Sequence, residues 1–218
     1  GVRLAYARPD SIGIYDTRLD VLQPLVSLSP YQTGGDWAWV PGVSWAPDGN
    51  TLYSVAHGDA SGNGSEAESP NFDLMAIPLS GGGPVNLVQD VGMFAYPEPS
   101  PLVSSVIRTA QDDENIPLIE NSYQVAYLQA IFPTESNSSR YRLFVMDRDG
   151  SNRVGLFPTE GATGLEPQRV VWSPSPVGEA GQFVIALIYQ GNIWLVDTVD
   201  GLAQQITGDG LAVRIDWR

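Results

Sequence analysis

PGVSWAPDGNTLY, residues 41–53, reads as two short strands joined by a tight turn. The turn is Pro47-Asp48-Gly49-Asn50. Proline presets φ for a turn, an Asp side chain bonds its own backbone two residues on, and glycine tolerates positive φ. Val43 and Trp45 alternate with Ser44 before the turn; Leu52 alternates with Thr51 after it, and Tyr53 follows. Period-two patterning on both sides of a turn predicts a β-hairpin. A lone surface hairpin would have no counterpart elsewhere in the chain, and this one has several.

Outward from it, the unit gains two more strands. Thr51–Ala56 is followed by a polar loop, His57–Asn71, then by Phe72–Leu79, a Ser80-Gly81-Gly82-Gly83 turn and a closing strand, Pro84–Val88. A second copy reads Met93–Tyr96, Tyr123–Gln129, Tyr141–Asp147 and Arg153–Phe157, with an insertion over Pro97–Asn121. A third reads Arg169–Pro174, Phe183–Tyr189, Asn192–Asp197 and Ala203–Thr207. Three strands precede them all: Arg3–Ala7, Ser11–Asp16 and Pro24–Leu28. Trp45, Tyr96, Trp172 and Trp217 thereby share one position of the repeat, and Asp16, Asp147 and Asp197 another.

Four-strand units spaced by roughly 40–50 residues predict an all-β propeller, since the rungs of a β-helix are shorter. The expected domain is single, covering 1–218, with antiparallel four-stranded blades over 42–90, 92–158 and 168–208. Residues 211–218 with 2–28 make the remaining blade, Val213–Trp217 pairing with Arg3–Ala7 to close a ring of four. Such pairing removes two open sheet edges. The alternative is part of a six- or seven-bladed ring. The chain opens within a strand, so an upstream leader or domain is expected.

Trp45-Ala46-Pro47-Asp48-Gly49 resembles the TolB-like WD-type β-propeller repeat, and Ile193-Trp194-Leu195-Val196-Asp197 is similar to its third strand. Trp172-Ser173-Pro174 matches the start of the motif without its Asp-Gly, and Tyr96-Pro97 is a degenerate copy. The resemblance implies a fold more than a function. Members serve as periplasmic scaffolds, as cell-surface binding proteins and as lids on hydrolases, which implies a periplasmic or extracellular setting.

Composition narrows the function classes. The 218 residues are 43% hydrophobic, enough for a sizeable core. With 25 acidic residues against 11 arginines and no lysine, the formal charge is −14, which repels nucleic acid and anionic membrane surfaces. No apolar run is long enough to span a bilayer, so no membrane insertion is expected. The lack of cysteine excludes disulfides and thiol chemistry.

Catalytic constellations are sparse. His57 is the sole histidine, and no G-x-S-x-G or H-E-x-x-H stretch accompanies it. The carboxylate groupings Asp112-Asp113-Glu114 and Glu66 with Glu68 lie in polar runs that read as solvated loops. Asp59, Ser61 and Asn63, followed by Gly64, fit the opening of a calcium loop. The closing glutamate position is Pro70, so no chelator effect is expected. In a propeller, Ser29–Pro41, His57–Asn71, Ala130–Arg140 and Glu160–Gln168 all open on one face. Loops on a rigid scaffold carry recognition. That face collects Tyr31, Asp36, Trp37, Trp39, His57, Asp59 and Phe132 as candidate binding residues, with Trp37 and Trp39 either central to binding or packed down as a plug. The expected function is a non-enzymatic module that binds a protein or glycan. The alternatives are an accessory propeller of a hydrolase or lyase, and a carbohydrate-active propeller using loop carboxylates.

Overall fold

The structure, a computed structural model, describes residues 2–57, 66–107, 118–177 and 182–218. It is built of antiparallel sheets that follow one another along the chain. The first holds β1 (Arg3–Arg8), β2 (Ser11–Asp16) and β3 (Val21–Ser27). The second holds β4 (Val43–Trp45), β5 (Thr51–His57), β6 (Phe72–Pro78) and β7 (Val85–Val88). The third begins with β8 (Glu98–Pro99). A two-stranded ribbon of β9 (Val103–Ile107) and β10 (Leu118–Ser122) then interrupts it. It resumes with β11 (Gln124–Ala130), β12 (Tyr141–Asp147) and β13 (Val154–Phe157). The fourth holds β14 (Val171–Trp172), β15 (Val184–Tyr189), β16 (Asn192–Asp197) and β17 (Ala203–Gln205).

The sheets stack, and the sequence shows why. In a strand covered on both faces, both alternating sets of side chains are apolar. On β5, Leu52 and Ala56 join Ile12 and Ile14 of the first sheet, whereas Tyr53 and Val55 join Val125 and Tyr127 of the third. On β11 the other set, Ala126 and Leu128, meets Ile185 and Leu187 of the fourth sheet. Three cores thus separate four sheets. Each fully buried Leu or Ile adds about 1.5–3 kcal/mol.

The recurring aspartates make turns. Asp16 Oδ1 accepts the N–H groups of Arg18 and Leu19 at 2.8 and 3.1 Å, and Asp197 Oδ1 those of Val199 and Asp200 at 2.7 and 3.3 Å. Asp48 Oδ1 accepts the Asn50 N–H at 2.9 Å, which holds the turn of the PDGN stretch.

Two expectations are corrected. Met93–Tyr96 is not a strand; the first strand of the third sheet is Glu98–Pro99. Trp45 stands opposite Leu52 and Trp172 opposite Ile185, while Pro99 stands opposite Val125, so Pro99 and not Tyr96 fills the equivalent position. Tyr96 has φ +43°, in the left-handed region and outside the extended conformation of a regular strand. Second, Val213–Trp217 forms no strand, and among the described residues β2 is the one strand bonded to β1. Val213 is 91% exposed. The segment is held instead by the β15–β16 turn, where the Ala212 N–H donates to Gly191 O at 2.7 Å.

Connections between sheets, and those between β5 and β6 and between β11 and β12, gather at one end of the stack. Gln32 N donates to Ala67 O at 2.9 Å, and Met93 N to Ser136 Oγ at 3.2 Å. Tyr141 and Leu165 exchange two backbone bonds, at 2.9 and 2.7 Å.

Candidate functional site

At the loop end, Trp39 is 3% exposed. Its ring lies 5.0 Å from Phe72 and 5.6 Å from His57, and its Nε1 donates to Met93 O at 3.2 Å. Tyr31 joins the same cluster, 5.1 Å from His57 and 5.3 Å from Phe72. Of the two alternatives for Trp39, it takes the plug: it ties the 29–41 connection to the second core. A buried indole with its N–H satisfied is core material. Trp37 is 48% exposed and Phe132 62% exposed, and both stand outside that cluster; Asp36 is exposed. Asp59, Ser61 and Asn63 lie outside the described residues. Among the described residues no three metal-binding side chains come together.

A second location is built more tightly. β4, β8 and β14 are each the edge strand of their sheet, and all three face one cleft of about 820 Å³. Val213, Arg214 and Ile215 form part of its wall. Side chains from the neighbouring sheet cap the edge carbonyls. Ser44 Oγ donates to Pro97 O at 2.5 Å, and Trp172 Nε1 to Glu98 O at 2.7 Å. An edge capped in this way does not recruit a foreign strand.

Glu98 sits where these edges converge. Its side chain is 20% exposed and pairs with Arg169, Nη1 to Oε1 at 2.7 Å. Burial pushes the Glu98 carboxyl up to about 7, and the Arg169 guanidinium opposes that shift only in part. Arg169 is 53% exposed, its second terminal nitrogen reaches Val43 O at 3.4 Å, and its Cζ lies 6.0 Å from the centre of the Tyr96 ring. The ring fits because residue 42 is glycine: a Cβ there would stand 2.9 Å from Tyr96 Cδ1. Burial also raises the Tyr96 hydroxyl above its ordinary range, with Arg169 opposing. Gly42, Tyr96, Arg169 and Glu98 therefore form one supported column, and Tyr96 accepts left-handed backbone to complete it.

Sequence reasoning missed both Glu98 and Arg169. The available signal is a charged residue set between prolines, Pro97-Glu98-Pro99, and another one residue before Val170-Val171-Trp172. Charges placed at inner edge strands are costly unless they pair or bind. Among the described residues no helix is long and apolar enough to cross a membrane. Neither models of known protein families nor curated proteins match this chain.

Proposed function

We propose that the protein is a non-enzymatic, propeller-type binding module whose ligand enters the cleft between the edge strands β4, β8 and β14. The observation that carries this reading is the column at Glu98: a half-exposed guanidinium held over an aromatic ring and a largely buried carboxyl, at the wall of a cleft of about 820 Å³. Concave sites with a few convergent polar groups on apolar walls are the usual form of a binding site. The TolB-like resemblance of Trp45–Gly49 and the succession of sheets support the propeller reading. The loop end, with Trp37 and Phe132 exposed, is a secondary surface for a protein or glycan partner.

A carbohydrate-active reading draws on the raised carboxyl of Glu98, since a general acid needs that property. Glycoside hydrolysis uses two carboxylates flanking the bond. Glu98 is the one carboxylate among the described residues lining this cleft, and it is engaged by Arg169. We therefore read it as a recognition group.

The test is a spectroscopic screen. Pools of short peptides and of oligosaccharides are titrated into the ¹⁵N-labelled protein, with the Trp45 and Trp172 indole resonances as reporters. A pool that moves both reporters supports the cleft. Shifts confined to Trp37 would move the site to the loop end, and turnover of an oligosaccharide that Glu98→Gln abolishes would make the protein an enzyme.

A further inference from the structure

The cleft's ligand class can be read from its charges. The chain carries 25 acidic residues and 11 arginines, yet the described lining of this cleft holds two arginines, Arg169 and Arg214, against one carboxyl, Glu98. Local charge is therefore opposite in sign to that of the molecule, and a cleft of one sign concentrates ligands of the other. Arg169 spends one terminal nitrogen on Glu98 and holds Val43 O only at 3.4 Å, so most of its planar fork remains for a partner. That fork matches a carboxylate, which it grips through two parallel bonds. The remaining walls are mainly apolar, with Trp45, Trp172 and prolines 47, 99 and 101 among them and Ser100 and Gln168 as the polar exceptions.

We propose that the cleft binds a carboxylate on an apolar body, the carboxylate lying against Arg169 with the Glu98 carboxyl as its neighbour. This rests on the binding-module reading above and names the ligand class of that site. Two carboxyl groups sharing one arginine cannot both be ionised cheaply. Glu98 is the member that gives way, because burial favours its neutral form and leaves it an O–H to donate to the ligand. The charged group paired with it is Arg169; Arg214 lies elsewhere on the cleft wall, and Tyr96, beside Arg169, has its hydroxyl raised by burial. Binding therefore weakens as pH rises through about 7.

The probes are phenylacetate, its neutral isostere phenylacetamide, and glucuronate, followed by the Trp172 indole N–H, whose donor bond ends on Glu98 O. Phenylacetate is expected to shift that resonance at pH 6 and phenylacetamide to leave it in place. Affinity for phenylacetate should fall about tenfold between pH 6 and pH 8, as the protonated fraction of a group titrating near 7 drops from about 0.9 to about 0.1. Glu98→Gln, neutral at every pH, should bind without that pH dependence. Arg169→Gln should lose at least about tenfold, and Arg169→Lys, which keeps the charge without the fork, should fall between. The same spectra report whether each variant is folded. Equal shifts from phenylacetate and phenylacetamide would keep the cleft as a site and overturn the carboxylate. A preference for glucuronate would overturn the apolar body, and full binding by Arg169→Gln would overturn the assignment outright. No shift from either carboxylate, in a protein whose cleft reporters answer the peptide or oligosaccharide pools, would sink this inference while leaving the binding module standing.

Discussion

Between the ordinary carboxylate range near 4.5 and the raised value of about 7, folded Glu98 keeps a proton that the unfolded chain has released. Stability falls with rising pH wherever the native state binds more protons, so this residue makes the fold weaker as pH climbs through that window. The full shift corresponds to at most about 3 kcal/mol. Asp16 and Asp149 act in the opposite sense: hydrogen bonds lower both, so what they contribute is present above the ordinary carboxylate range and lost as pH falls through their lowered values. Between pH 5 and 8 those two stay ionised. Denaturant titrations at pH 5 and pH 8 should show the parent losing up to about 3 kcal/mol that Glu98→Gln does not lose; identical pH dependence in both would contradict the burial argument. The two tryptophans of the 29–41 connection give a second residue-scale expectation. Trp39→Ala should cost about 3–5 kcal/mol, the usual range for a buried aromatic. Trp37→Ala should stay within about 0.5 kcal/mol. Equal melting temperatures for the two variants would contradict their assigned roles. Sequence could not separate them. Trp37-Ala38-Trp39 alternates as if both indoles shared a face, but the segment bends at Gly34–Asp36 and forms no ladder, so periodicity carries no facing information there.

At the scale of elements, reading went well where local chemistry decides. Asp-containing turns fixed the ends of β2, β12 and β16, and apolar alternation located β5, β6, β11 and β15 to within a residue or two. The failure at Met93–Tyr96 has a physical cause. Tyr96-Pro97 imitates the aromatic-x-Pro start of the repeat, but the chain turns there to seat the Tyr96 ring over Gly42, and pairing begins only at Glu98. A two-residue strand that follows one proline and ends on another leaves almost no periodic signal, because proline cannot donate to a ladder. The same interruption hides the site, since Glu98 falls within the Pro97–Asn121 insertion and Arg169 reads only as the first residue of the Arg169–Pro174 strand. The β9–β10 ribbon lies, but for its last residue, within the expected insertion, its register running from Val103 opposite Ser122 to Ile107 opposite Leu118.

For the whole molecule, the order of the sheets was legible and the pairing of the chain ends was not. Each four-strand unit announces itself within one stretch of sequence. Whether residues 213–217 meet residues 3–7 depends on how much each sheet turns relative to the last, and no local pattern records that angle. With Val213 91% exposed and the segment forming no strand, removing residues 213–218 should move the melting temperature by only about 1–2 °C. Pairing with β1 would have made the same deletion severe, so calorimetry on the truncated chain decides between them. The deletion also removes Arg214 from the cleft wall.

Three cores between four sheets also set the order in which the molecule loosens. Each sheet draws its apolar contacts from its immediate neighbours, so cohesion is close to a sum of adjacent couplings along a line. The second and third sheets have two such couplings and the first and fourth have one. Amide hydrogens should therefore exchange with solvent soonest in β1–β3 and β14–β17 and last in β5, β6, β11 and β12. Deuterium uptake followed by mass spectrometry would read this gradient directly, and uniform protection across all four sheets would mean that the molecule opens only as a whole. Glu98 lies in a sheet coupled on both sides, whereas its partner Arg169 leads into an end sheet. Fraying from the fourth sheet would part the pair before the middle of the stack gives way. A ligand that bridges both residues would suppress that fraying, and slowed exchange in β14 and β15 would mark its arrival.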